Sequence, residues 1–377
     1  MSRVPDVLVI GGGVIGLTSA YQLARAGCSV RLFDRGAFGA EASWAGAGII
    51  PPGNPAGART AYDRLRATSS TSFSAFSAEL RDRTGIDNGY RVCGGVELFE
   101  CDAAETTDLW LKEGIRFEPL DDGGRRRVEP GLGRTTADAV YLPDMAQVRN
   151  PWHIRSLVEA CRHVGVDLKA NVPVADFEVR GGRIVHATDI YGENHTADNF
   201  LIAGGAWSEE LLQTLGVHPG IHPVLGQIVL FAPPRPVLRR IVSVDKRYLV
   251  PRDDGRVLAG ATEEPEAGFE KRNTPEGVGG LMEFARELVP ALATAPVEKT
   301  WSGLRPGSPD GLPFLGPVPG LRNAFAACGH FRAGIQLSIG TAGVLTDLIT
   351  GRPSTVPVDD FRLDRPPAPP FPAAFRS

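Results

Sequence analysis

The sequence predicts a mixed α/β fold in two parts: a dinucleotide-binding part on a parallel central sheet, and a mostly antiparallel part inserted into it. Three observations carry this. An apolar run, Val7-Leu8-Val9-Ile10, passes directly into Gly11-Gly12-Gly13-Val14-Ile15-Gly16. Over residues 227–304 short strand patterns replace the alternation of strand and helix. Strand-then-helix character returns at 324–328 and 333–350.

The first unit is a complete nucleotide fingerprint. After the strand and the G-x-G-x-x-G run, a helical pattern continues to about Ala26, and a second strand, 30–33, ends on Asp34. Gly11 permits the tight turn, Gly13 lets the backbone approach a pyrophosphate, and Gly16 lets the helix pack on the strand. The helix N-terminus offers free N–H groups and a positive dipole end. Asp34 is placed to accept hydrogen bonds from ribose hydroxyls, which disfavours a 2′-phosphate, and Arg35 follows it toward the adenine.

Further along, Asn150-Pro151 reads as an N-cap with proline at the first helical position. Strands are expected at 166–169, 174–179, 183–187 and 199–203, the last leading into a helix that ends near Leu215. In the second texture, 227–231, 247–251, 256–260 and 297–304 read as strands. Arg252-Asp253-Asp254-Gly255 reads as a hairpin turn, and 275–289 as an amphipathic helix. The predicted nucleotide domain is therefore discontinuous (1–85, 146–222, 305–365), with 86–145 and 223–304 forming a substrate domain. Residues 366–377 are a proline-rich tail, read as extended or disordered.

Composition narrows the function. At 377 residues the chain exceeds one typical core. Its 22% charged and 42% hydrophobic residues and net charge of −4 leave no footprint for nucleic acid or an anionic membrane. Five scattered cysteines (Cys28, Cys93, Cys101, Cys161, Cys328) form no C-x-x-C pair or Cys/His cluster, so no metal is expected and a reducing, cytoplasmic compartment is. No secretory pattern or long apolar run is present. His153, His163, His186, His195, His218 and His222 show no ligand spacing, and no Ser/His/Asp or Cys/His nucleophile arrangement stands out.

Later motifs are distinctive as an ordered set. They are Ala42-Ser43-Trp44-Ala45-Gly46-Ala47-Gly48-Ile49, Gln147-Val148-Arg149-Asn150-Pro151, Ala203-Gly204-Gly205-Ala206-Trp207-Ser208, Tyr248-Leu249-Val250-Pro251-Arg252, Gly260-Ala261-Thr262-Glu263, Trp301-Ser302-Gly303-Leu304-Arg305-Pro306 and Gly329-His330-Phe331-Arg332-Ala333-Gly334-Ile335. Together they resemble the D-amino acid oxidase superfamily, and within it the glycine oxidases of thiamine biosynthesis. The likeness spans nearly the whole chain. It departs at Ala333, where Asn is common, at Gly205, which interrupts the usual T-A-G-A-W run, and at Ile49, in a loop expected near the flavin ring.

The resemblance implies a Rossmann-like domain binding FAD in extended form. The reaction implied is oxidation of glycine or another small amine beside a carboxylate, with O2 reduced to H2O2. Thiazole synthase is an implied partner, and a homo-oligomer is an open possibility. Cofactor contacts carried over are Gly11, Gly13, Val14, Ile15, Gly16, Asp34, Arg35, Ala42, Ser43, Ala47, Gly48, Ile49, Val174 (through its backbone), Ala203, Gly204, His330, Phe331, Arg332, Ala333, Gly334 and Ile335. Arg305 is the expected carboxylate receptor, because a planar guanidinium gives two parallel charge-assisted bonds. Tyr248 is expected to donate to the same carboxylate, and Arg332 to border the amine. No side-chain base is assigned, and His330 is read as structural or cofactor-facing. Some relatives attach flavin through a cysteine after the Arg305 segment; residues 307–320 hold none, so FAD is expected to be noncovalent. A dehydrogenase passing electrons to a quinone, a 2-hydroxy acid oxidoreductase of the same fold, and a non-enzymatic FAD module stand as alternatives.

Overall fold

The computed structural model describes residues 4–100, 103–134, 137–366, 369 and 375. Cys101 and most of the proline-rich tail lie outside the described residues.

Val7–Ile10 is buried along its whole length and forms the middle of a six-stranded sheet. Val30–Phe33 and Asn199–Ile202 flank it in parallel register, Asp167–Lys169 and Ala324–Cys328 extend the parallel run, and Phe314–Pro317 closes one edge antiparallel. Successive strand residues point to opposite faces. Val7 and Val9 therefore enter one core with Leu17, Tyr21, Phe73 and Leu337, while Leu8 and Ile10 enter another with Phe177, Phe200 and Phe314. Helices Val14–Arg25 and Gly334–Ile349 pack together over the first face.

The second large sheet has eight strands, ordered Val297–Gly307, His222–Phe231, Val257–Gly260, Arg247–Pro251, Ile241–Val244, Gly95–Phe99, Asp138–Leu142 and Glu118–Leu120. It is antiparallel except where Ile241–Val244 runs parallel to Gly95–Phe99. Helix Pro275–Leu288 buries Leu281, Phe284 and Ala285 against one face, in a core with Val229, Phe231, Val242 and Leu249. Thr274 caps this helix by accepting from Gly277 N at 3.0 Å.

Two local expectations are corrected. The strand expected to stop at Leu304 continues to Gly307, so Arg305 lies inside it, opposite Val224. Pro306 is tolerated because this strand is a sheet edge, where a missing N–H costs no ladder bond. Asn150 is the first residue of helix Asn150–His163 and Arg149 is its N-cap; the Asn150 amide instead donates to Ser43 O at 2.8 Å. The helix expected after the segment from Gly204 to Ser208 is present as Ser208–Gln213, preceded by a 3₁₀ turn, Gly205–Trp207, with Gly205 at φ 58°. The hairpin turn at 252–255 is present, with Gly255 at φ 84°. Among the described residues, no helix is long and apolar enough to cross a membrane.

Candidate active site

A cavity of about 820 Å³ runs between the two large sheets, from the glycine loop to Arg305. Its first end is the Gly11–Gly16 turn. Gly11 adopts φ 112°, and a Cβ there would lie 2.2 Å from Ala203 O. A Cβ on Gly16 would lie 1.8 Å from Gly11 O, so this glycine serves helix-on-strand packing and does not border the cavity. Helix Val14–Arg25 has no side-chain cap from Gly13 and no acidic residue in its first turn, which leaves a positive dipole end facing the cavity. Asp34 accepts from Gly12 N at 2.7 Å and Gly36 N at 2.8 Å. Burial pushes its carboxyl pKa up, against those two bonds and the Arg35 charge. The Arg35 guanidinium lies 3.4 Å from the centre of the Trp207 ring.

The middle of the cavity is walled by the small-residue loop 42–49. The loop is held from several sides. Trp301 Nε1 donates to Ala45 O at 2.9 Å, Arg252 Nη2 to Ala47 O at 2.8 Å, and Val14 N to Ser43 Oγ at 2.9 Å. Gly48 must be glycine: its φ is 73° and a Cβ would lie 2.2 Å from Val148 O.

At the far end, two glycines clear the sheet floor. A Cβ on Gly226 would lie 2.2 Å from Arg305 Nη1, and one on Gly260 would lie 2.7 Å from the Tyr248 ring. The guanidinium and the phenol thus lie flat across neighbouring strands and converge. Arg305 Nη1 also donates to Thr262 O at 3.0 Å. Burial lowers the Arg305 pKa, with Tyr248 and Glu263 acting the other way. Arg332 completes the positive end; its Nη2 donates to Lys246 O at 2.6 Å and its Nη1 lies 3.4 Å from Glu263 Oε2. Burial acts to raise the Glu263 pKa, but Lys246, Arg332 and Arg305 together hold it below the usual carboxylate range.

Of the residues named from sequence, Gly11, Gly13, Val14, Ile15, Asp34, Arg35, Ala42, Ser43, Ala47, Gly48, Ile49, Val174, Ala203, Gly204, Tyr248, Arg305, His330, Phe331, Arg332, Gly334 and Ile335 border this one cavity. Gly16 and Ala333 do not; Ala333 is buried as the N-cap of the last helix. His330 is buried, its Nε2 3.1 Å from Thr341 Oγ1, and burial pushes its pKa down to about 3. A neutral imidazole tied to a helix hydroxyl has a structural place. Sequence reasoning did not single out Gly226, Ser243 or Glu97, all of which line the cavity. The signal available was a charged residue between two core apolar ones, Val96-Glu97-Leu98.

The residues present fit a dinucleotide cofactor in extended form. A helix start with no acidic residue in its first turn, an acid at the end of the second strand and a loop of small residues lie along one cavity. Among the described residues no group of His, Cys, Asp and Glu could hold a metal ion.

Comparison with known proteins agrees. A family model described as FAD dependent oxidoreductase matches residues 6–348. A glycine oxidase from Pseudomonas aeruginosa is 38% identical over 352 residues, covering 92% of this chain and 95% of that protein. A bifunctional protein ThiO/ThiG from Nostoc is 33% identical over 364 residues, and the match spans 96% of this chain and 55% of that longer protein. The crystal structure of glycine oxidase from Geobacillus kaustophilus superimposes with a TM-score of 0.88 at 32% identity, covering 96% of this chain and 98% of that one. The chain belongs to the family of FAD-dependent oxidoreductases typified by D-amino acid oxidase, and it is an enzyme of amine oxidation.

Proposed function

We propose that this protein oxidises a primary or secondary amine borne next to a carboxylate, glycine or another small amino acid, with dioxygen as electron acceptor and hydrogen peroxide as product. The single observation that carries the reading is the convergence of Arg305 and Tyr248 over the cleared floor at Gly226 and Gly260. A buried guanidinium beside a phenol is a carboxylate receptor, offering charge-assisted bonds in a fixed plane.

Bound FAD supplies the two-electron acceptor that takes a hydride equivalent from the amine-bearing carbon. The chain's own residues do the rest. Gly11, Gly13 and the helix start would hold the pyrophosphate, and Asp34 would hold the ribose. Arg305 and Tyr248 fix the substrate carboxylate, and Arg332 borders the amine side. Rate then comes from positioning rather than from a side-chain base. The substrate amine must lose its proton before reaction, because its lone pair drives hydride loss; His330, neutral and tied to Thr341, is not the acceptor. The imine product hydrolyses to an oxo acid and ammonia, or passes to a thiazole-forming partner, a role that the ThiO/ThiG relatives suggest. FAD is held noncovalently in this reading.

Anaerobic titration of the yellow holoenzyme with a panel of small amines tests it. Bleaching of the flavin band by glycine, sarcosine or D-alanine, with peroxide formed on admitting air, is expected. Bleaching by glycolate alone, or no peroxide in air, would overturn the amine-oxidase reading. Flavin that stays with the protein after acid denaturation would overturn noncovalent binding.

A further inference from the structure

The floor of the substrate end is one cross-strand row. Register places Ile228 opposite Gly260, Gly260 opposite Tyr248, Tyr248 opposite Ser243, and Ser243 opposite Glu97. Residues opposite each other share a sheet face, and strands are spaced about 4.8 Å apart. Glu97 therefore stands two strands, roughly 10 Å, beyond the strand of Tyr248, on the same cavity-facing surface.

This far wall is acidic and aromatic. Glu97, Ser243 and Asp245 line the cavity there, as do Phe99, Trp110 and Phe375. Phe99 lies two residues along from Glu97 on the same strand, and so on the same face. Its ring is 6.0 Å from Trp110, and Trp110 stacks on Phe375 at 5.2 Å. Burial pushes the Glu97 carboxyl up to about 8, with the Ser243 hydrogen bond acting against it and the Asp245 charge acting with it. Among the described residues Glu97 has no ion pair: Arg66, 5.0 Å from the centre of the Phe375 ring, is paired with Glu113, and the Arg247 guanidinium lies over Phe284. The wall suits a cation that arrives, since both carboxylates and aromatic faces attract ammonium groups.

We propose that the cavity binds amino acids whose side chain ends in a cationic amine, with the carboxylate on Arg305 and Tyr248 and the distal ammonium between Glu97 and the aromatic wall. This deepens the amine-oxidase reading and rests on it. Because the Tyr248 ring lies over Gly260, the carboxylate pole stands three strands, roughly 14 Å, from the strand of Glu97, and spanning it takes a fully extended ligand chain together with the Glu97 side chain reaching inward.

The test uses holoenzyme and two ligands that carry no α-amine and cannot react, 6-aminohexanoate and hexanoate. Their dissociation constants are measured by calorimetry on wild type and Glu97→Gln. Wild type is expected to prefer the amino ligand by about tenfold or more, the worth of one charge-assisted bond, and Glu97→Gln to lose most of that preference. The same ranking should appear in anaerobic bleaching rates of lysine against norleucine, each supplied as both enantiomers. Equal or tighter hexanoate binding to wild type would overturn the inference, as would a preference that survives Glu97→Gln. If glycine bleaches the flavin while these comparisons fail, the distal subsite alone falls. If no amine bleaches it, the amine-oxidase reading and the subsite fall together.

Discussion

The glycine-loop end of the cavity and the Arg305 end contrast in how they are assembled. At the first, strand, turn, helix and acid all come from the segment between Val7 and Asp34. At the second, the floor is gathered from Gly95–Phe99, His222–Phe231, Ile241–Val244, Arg247–Pro251, Val257–Gly260 and Val297–Gly307. A contiguous motif constrains backbone conformation and can be read from spacing. A floor built from six strands depends on register, which no single segment reveals.

A buried ion pair joins helix Ala61–Thr84 to the helix that carries Trp110, and breaking it should have the largest effect. Arg66, on helix Ala61–Thr84, is fully buried, pairs with Glu113 and donates to Pro52 O at 2.6 Å. Glu113 ends helix Ala104–Glu113, whose Trp110 forms part of the distal wall. Arg66→Ala leaves a buried carboxylate without its cation, so a loss of about 3–5 kcal/mol of stability is expected. Chemical denaturation checks it; a loss under about 1 kcal/mol would show that Glu113 finds water or another donor.

Next in size is the carboxylate receptor. Arg305→Ala should weaken substrate binding by about 2–4 kcal/mol, or from about 30-fold to about 1000-fold in KM. Arg305→Lys should recover little, since a point charge cannot reproduce the planar fork. Unchanged KM for the best amine in Arg305→Ala would sink the receptor assignment.

A matched glycine pair sharpens the contrast between ends. In Gly226→Ala the new methyl would meet Arg305 Nη1 at 2.2 Å, and in Gly11→Ala it would meet Ala203 O at 2.2 Å. A flexible guanidinium can move aside, whereas a backbone carbonyl between two core strands cannot. Gly226→Ala should therefore fold, keep its yellow colour and lose carboxylate affinity, at about 1–3 kcal/mol for the overpacking. Gly11→Ala should lose FAD. Flavin content measured beside KM separates the two; a colourless Gly226→Ala protein would blur the distinction between ends.

Legibility followed the same division. Val7–Ile10, Val30–Phe33 and Ala324–Cys328 could be bounded from apolar runs because they are buried on both faces. Helix Ala61–Thr84 could not, because its buried face carries Asp63, Arg66, Ser69 and Ser70 as well as Leu65 and Phe73. Ser69 finds its partners only in the fold: its Oγ donates to Gln336 O at 2.5 Å and accepts from Gly340 N at 3.0 Å. At the site, Arg305 and Tyr248 were legible through the resemblance of their segments. Glu97 was not, because its significance lies in being opposite Ser243, a partner far away in sequence.

Smallest over any one pH unit are the pH-dependent effects, and they have opposite signs in the two halves. His153 is fully buried beside Phe73 and accepts no charge readily; burial lowers its pKa from 6.5 to about 4. Its contribution is complete above the unfolded value and is lost as pH falls from about 6.5 toward about 4, because the unfolded chain binds the proton first. Glu97 is raised from 4.5 to about 8, so its contribution is complete at low pH and is lost as pH rises through that window. Each group alone gives a slope of order 1 kcal/mol per pH unit. His153→Gln should flatten the acid side of the Tm profile, and Glu97→Gln the neutral-to-alkaline side. Thermal melts of wild type and both variants from acid to alkaline buffers at fixed ionic strength measure this. If both variants flatten the same limb, the two halves do not differ in the sign of their buried ionisation.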